Sequence, residues 1–516
     1  MPPALRLPPL TEHPPQAPET RPSRVAAWLA DVVKGDPALA ARAMGEALAV
    51  TNRIPLRHSR RLDVAEEYWK AAALLWPRLE QQFVVAAHPL TGASLEAAKA
   101  ALMLANELAI AYKRLLVEEA ARRFAWGGPR RIVALIRRTF QATLRVLINS
   151  YLTYAPVPAH LWSDAHDIYM FTRERRIHRH PVTLDQPEVT LERLYLQGLL
   201  LALANPYGFL PSQLATVVQF LQEHAQLAKL TPVPPVHRMA KAVAIVPVGH
   251  DFPPFSANKG GATEGSKLFL LTFDLAFELQ SQIGELETGA GPREFATDLQ
   301  AREQYTSLLK RLLRQWAVPP ARQFNRLPSR ARVVMCAGLS GVWQTSRRLS
   351  AGARPGATAT TAAPPMTQCQ VINHTAGGYA LRQVDSAPAT LRVGDLIALR
   401  IEGRAGLQVA MVRWFRNTLR NGMLEFGCEL LSDAPEAAAA APEDATDAEL
   451  LPVIVLPEDD DPDSEGASPQ LAAPAGAFAL EQAVSLRRGT GTGFAVLTKL
   501  VEQGPGFDLY EFVAVS

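Results

Sequence analysis

With 516 residues, 48% of them apolar and 20% charged, the chain has length for about three or four domains and an ordinary globular composition, which excludes a wholly disordered or fibrous protein. No apolar run approaches the ~18–20 residues of a bilayer-spanning helix; the best candidates, "LQGLLLALANPYGF" and "RVLINSYLTY", are interrupted by polar or charged residues. The formal charge of +3 conceals a segregation: twelve acidic residues and no Lys or Arg lie between Asp433 and Glu465, so 53 basic residues face 38 acidic ones elsewhere.

In chain order, residues 1–24 read as a proline-rich disordered leader with no apolar signal core, so a cytoplasmic location is expected. Residues 25–232 read as a helical domain. One helix begins at Ser94 and carries Leu104, Leu108, Ala111 and Leu115 at helical spacing until "WGGP" stops it. A second opens at Pro129 with Ile132, Ile136, Phe140, Leu144 and Leu147 on one face, a third follows Thr190 and a fourth follows Ser212. Such stripes with short joins describe a bundle or stacked-helix array.

Residues 233–318 form a small α/β segment, with strands in "VAIVPV" and "KLFLLTF" and helices near 274–287 and 297–316. From 319 to 432 the pattern is all strand: "ARVVMC", "CQVIN", "YALRQV", "DLIALRI", "LQVAMVRWF" and "MLEFGCELL". The last alternates, with Leu424, Phe426, Cys428 and Leu430 on one face, as a half-buried strand requires. Six short strands suggest a small closed barrel, interrupted by an insertion over 338–366 that includes "SAGARPGATATTAAPP". Residues 433–474 are expected to be an acidic disordered linker, apart from an apolar "LLPVIVLP", and residues 475–516 a small β segment with "AVSLRR", "FAVLTKL" and "YEFVAV". The fold class is thus multidomain α plus β.

Residues 304–384 hold eleven basic groups and no carboxylate, a single-sign field that attracts anions. Within it, "RQFNR", Arg322 to Arg326, approaches the first barrel strand, and "NHTAGG", Asn373 to Gly378, ends the second. Arginine offers a planar fork of donors that grips phosphate at two points or bonds the Hoogsteen edge of guanine. Asn373 can orient a polar edge, Thr375 can donate its hydroxyl, and Gly377 and Gly378 let backbone turn sharply against a flat ligand. Arg326 and Arg330 form a second R-x-x-x-R frame; the Arg322–Arg326 frame is preferred because it leaves a short spacer before "ARVVMC".

R-x-x-x-R before the first strand of a small barrel, then [D/N]-x-[S/T]-x-x-G at the end of the second, resembles the signature of the PilZ domain, which binds cyclic di-GMP in bacteria. The order "RVGDLIALRIEG", "VAMVRWFRN", "LEFGCELL" is similar too, and the resemblance covers 322–432. It implies that Arg322 and Arg326 hold phosphate and guanine, while Asn373, Thr375 and Gly378 frame another guanine, with Arg330 and Gly377 as secondary candidates. Threonine stands where serine is usual, asparagine where aspartate is commoner, and the insertion replaces a short connection.

The implied function is a cyclic di-GMP receptor without cofactor or metal, relaying ligand level to a protein partner through the helical region. By analogy the process is motility, attachment or exopolysaccharide control. The rival is an inert PilZ scaffold or a nonspecific nucleic-acid-binding protein, which steep salt dependence would distinguish. No enzyme is expected. "GLSGV" lacks the last glycine of a nucleophile elbow, and "GTGTGF" does not lie between strand and helix. His160, His166, His178 and His180 form no convincing ligand set, and the odd number of cysteines, Cys336, Cys369 and Cys428, reads as buried thiols.

Overall fold

The computed structural model describes residues 2–11, 18–122, 128–182, 189–235, 242–257, 265–289, 298–317, 326–350, 364–385, 390–418, 423–443, 449–457, 468–489 and 491–515. The chain divides into two compact units, Met1–Ala86 with Leu90–Arg322, and Ala87–Pro89 with Gln323–Ser516.

The first unit opens with helices α1 (Pro22–Val32), α2 (Pro37–Asn52), α3 (His58–Glu80), α4 (Gly92–Ala120), α5 (Gly128–Leu152), α6 (Leu161–Glu174), α7 (Leu191–Leu203) and α8 (Pro211–His224). Their starts follow local chemistry. Asp36 accepts a hydrogen bond from the Leu39 amide (2.9 Å), with Pro37 in the first turn, and Thr190 accepts one from the Arg193 amide (3.2 Å). The Leu104, Leu108, Ala111 and Leu115 stripe of α4 is buried, as are Ile136, Phe140 and Leu147 of α5. Next come β1 (Lys229–Thr231), β2 (Val243–Val246), β3 (Phe255–Ser256) and β4 (Leu268–Leu271), an antiparallel sheet in the order β1-β4-β2-β3, then α9 (Phe273–Glu287) and α10 (Leu299–Trp316). The buried Trp316 fastens the end of α10: its indole donates to the Leu200 carbonyl of α7 (3.1 Å), and its carbonyl accepts from Thr272 (2.5 Å).

The second unit contains β5 (Leu327–Pro328), β6 (Arg332–Ala337), α11 (Leu339–Ser350), β7 (Thr367–Thr375), β8 (Gly378–Gln383), β9 (Leu396–Ile401), β10 (Gln408–Thr418) and β11 (Met423–Ser432). Strands β7-β6-β9-β10-β11-β8 close into a barrel through β7–β8 pairing, and β5 pairs with the end of β7 on the edge that β6 uses farther along. The six strands read from the sequence are these six. A second closed barrel follows from β12 (Glu436–Pro442), β13 (Leu451–Leu456), β14 (Gln470–Pro474), β15 (Ala483–Arg488), β16 (Gly491–Gln503) and β17 (Phe507–Val515), ordered β12-β13-β14-β17-β16-β15. A continuous apolar core joins the barrels: Leu339 and Val342 of α11 pack with Leu396 and Val409 of the first and Ile454 and Phe507 of the second.

Two expectations change. The stretch 433–474, expected as disordered linker, supplies β12, β13 and β14 to the second barrel. Eight of its twelve acidic residues fall in 444–448 and 458–467, outside the described residues, while alternate alanines of "EAAAAAP", Ala438 and Ala440, turn inward. Ala438 and Ala440 are buried in one cluster with Val453, Leu486 and Phe512. Small inward residues matched to large ones fill a narrow barrel, so tertiary packing overrides a weak strand propensity. The insertion over 338–366 likewise contains α11, whose apolar residues seal one side of the first barrel; residues 351–363 lie outside the described residues.

Candidate functional site

The two sequence motifs meet because of one short strand pairing. Leu327 lies opposite His374 and Pro328 opposite Asn373, so the segment carrying Arg326 runs antiparallel along the end of β7. Arg326, Asn373, Thr375, Gly377 and Gly378 all line a cavity of about 290 Å³ on the first barrel. Arg330 does not line it, and Arg322 lies outside the described residues.

Two β-bulges shape this wall. On β7 the register slips between Val371 and Asn373, and on β10 between Val412 and Trp414. A bulge inserts one unpaired residue and re-aims the side chains beside it; here Asn373, Arg413 and Trp414 all face the cavity. Gly378 opens β8 at φ +152°, opposite Glu429, and a Cβ there would lie 2.1 Å from the Cys428 carbonyl oxygen. Only glycine lets the strand lie this close. At Gly427 an added Cβ would meet the Trp414 indole nitrogen at 1.9 Å, so the indole lies across a position with no side chain.

Charge is distributed unevenly. Arg413 is paired with Glu429 (2.6 Å) and with Glu502 of the second barrel. Arg326 is exposed and makes no ion pair among the described residues. A partly buried indole, an unpaired guanidinium and the amide and hydroxyl of Asn373 and Thr375 on one concave wall suit a ligand with a flat ring, polar ring edges and an anionic group. Tyr379 closes one end of the cavity; its hydroxyl donates to Gln408 (2.8 Å) and accepts from Arg404 (2.8 Å). Sequence reading missed Trp414, Arg413 and Tyr379. The available signal was the aromatic residue between arginines in "VRWFR", whose orientation depends on the bulge.

The remaining candidates behave as structural groups. All three cysteines are free and buried, and burial pushes the Cys369 and Cys428 thiols up to about 12, away from nucleophilic thiolates. His166 is fully buried between the Tyr195 hydroxyl (2.6 Å) and the Phe252 carbonyl (3.0 Å), and burial lowers its pKa to about 4. Among the described residues no group of three or more His, Cys, Asp or Glu side chains is placed to hold a metal ion, and no helix is long and apolar enough to cross a membrane.

A six-stranded barrel with an N-terminal arginine segment laid beside an N-x-T-x-x-G strand end defines a PilZ-type domain. The model for "Cyclic-di-GMP receptor FimW, N-terminal domain" matches residues 23–235, and that for "Cyclic-di-GMP receptor FimW, middle PilZ domain" matches residues 344–438. Together they take in more than half of the chain, which belongs to this family of PilZ proteins. The chain is also 24% identical over 506 residues to the cyclic-di-GMP receptor FimW of Pseudomonas aeruginosa PAO1, covering 84% of this chain and 81% of that one. The PilZ match includes Asn373, Thr375 and Gly378 and begins after Arg326.

Proposed function

We propose that this protein is a cyclic di-GMP receptor whose first barrel binds the dinucleotide through Arg322, Arg326, Asn373, Thr375 and Gly378, with Gly377 at the turn, and with Trp414 as a stacking surface. The supporting observation is the convergence of Arg326 with the N-x-T-x-x-G strand end in one cavity. In this reading Arg326, which lines the cavity, grips phosphate or a guanine edge. Asn373 and Thr375 offer an amide and a hydroxyl two residues apart, and Gly378 keeps the backbone low enough for a flat ring to approach. A charge-assisted, two-point arginine contact contributes about 1.5–3 kcal/mol, so this side chain accounts for a tenfold or greater share of affinity.

The cavity holds no paired catalytic carboxylates or activated nucleophile among its described lining residues, which favours reception over catalysis. We place the receptor in the cytoplasm, where bound nucleotide alters its interaction with a protein partner. We assign that partner to the helical unit, which carries the family's N-terminal domain.

Competition tests the reading. Labelled cyclic di-GMP bound to the full-length protein should be displaced by unlabelled cyclic di-GMP and not by cyclic di-AMP, with little loss of affinity between 50 and about 200 mM salt. Equal displacement by both nucleotides, or affinity that collapses with salt, would assign the arginines to nonspecific polyanion binding.

A further inference from the structure

A second concavity lies on the outer face of β6 and β9. Along β6 the outward residues are Arg332, Val334 and Cys336, and along β9 they are Leu396, Ala398 and Arg400, with Val334 opposite Arg400 and Cys336 opposite Ala398. Helix α11 covers Cys336, Leu396 and Ala398 and leaves the rest of the face open. Beyond its cover lies a groove of about 640 Å³, in which Val334, Leu349 and Met366 are 38%, 47% and 45% exposed. Among the described residues its rim carries Arg332, Arg348, Arg400 and Arg404 against the single carboxylate Glu402. Arg332 and Arg400 are exposed and make no ion pair among the described residues.

We propose that this groove docks an acidic peptide segment of a protein partner, one that places apolar side chains on the floor and carboxylates against the arginines. Two features select this occupant. Exposed aliphatic and thioether surface gathered in one concavity gains from burial only if the ligand brings apolar groups of its own. The four-to-one excess of cationic over anionic side chains excludes basic segments and steers acidic ones. Nucleic acid fits less well: no aromatic ring lines the groove among the described residues for bases to stack on, so an oligonucleotide would engage the rim alone.

The groove borders the proposed nucleotide site through one shared contact, because Arg404 on its rim donates to Tyr379, which lines the other cavity. The docking proposal does not depend on that contact and is tested without nucleotide, so its failure is distinct from failure of the receptor reading.

The probe is a fluorescein-labelled peptide of glutamates with leucines at every third or fourth position, titrated into the full-length protein and followed by anisotropy. Controls replace leucine with serine, replace glutamate with lysine, or substitute an oligo-dT strand of similar charge. The acidic, leucine-bearing peptide should bind at least tenfold tighter than each control. Arg332→Glu with Arg400→Glu should weaken it at least tenfold, and so should Leu349→Ser alone, which leaves every charge in place. An unchanged melting temperature would show that these variants remain folded. Equal binding of the serine peptide or oligo-dT, no peptide binding, or affinity unchanged in the folded charge-reversal variant would overturn the proposal.

Discussion

Trp414 lies across Gly427, its directly paired residue on the neighbouring strand, so closely that a single methyl group on Gly427 would overlap the indole. The glycine thus holds open the seat of the one tryptophan that lines the candidate site among the described residues. Stacking on an aromatic side chain contributes about 1–3 kcal/mol per base, so Trp414→Ala should weaken cyclic di-GMP binding roughly five- to hundredfold. Gly427→Ala should weaken it as well, by displacing the ring without removing it. Fluorescence of the full-length protein should respond to ligand in the wild type and lose the Trp414 share of that response in both variants.

Gly378 has a different role. Its absent side chain allows β8 to start against the Cys428 carbonyl, and a Cβ at 2.1 Å has only rigid backbone to displace. Gly378→Ala should therefore separate β8 from β11, destabilising the barrel by about 1–3 kcal/mol as overpacking does, and should abolish ligand binding. Denaturant unfolding and nucleotide binding measured on the same variant check both effects. An alanine variant with native stability and affinity would contradict the close strand approach.

The helical unit should weaken in acid. His166 is buried and neutral, with Nε2–H donating to the Phe252 carbonyl and Nδ1 accepting from the Tyr195 hydroxyl, an assignment made from these partners. Its pKa falls from 6.5 to about 4 on burial, so between these values the unfolded chain binds more protons than the folded one. Stability is complete above about pH 6.5 and is lost as pH falls toward about 4, by roughly 3 kcal/mol at most. Thermal unfolding from pH 7 to 4 should show this slope, and His166→Gln should start less stable and show a shallower one.

Local patterns in the sequence carried much of this architecture. The stripe of Leu104, Leu108 and Leu115, the cap at Thr190 and the alternation of Leu424, Phe426 and Cys428 each encode their own element, because the burial period is written in neighbouring residues. The strand of alanines at 436–442 is different: its inward positions are set by Val453, Leu486 and Phe512, which are distant in sequence. Motif spacing placed Asn373, Thr375 and Gly378 on one strand end and Arg326 upstream. Their meeting required the β5–β7 pairing of a two-residue strand too short to show any period. Trp414 was unreadable as a site residue because the bulge beside Arg413 changes which face it takes.

The most direct measurement is calorimetric titration of the full-length protein and two single variants with cyclic di-GMP. Arg326 lines the cavity and Arg330, four residues on, does not. Saturable binding by the wild type, weakened at least tenfold by Arg326→Ala and changed less than about twofold by Arg330→Ala, is the expected result. No heat of binding with folded wild-type protein, or equal losses in the two variants, would contradict the account.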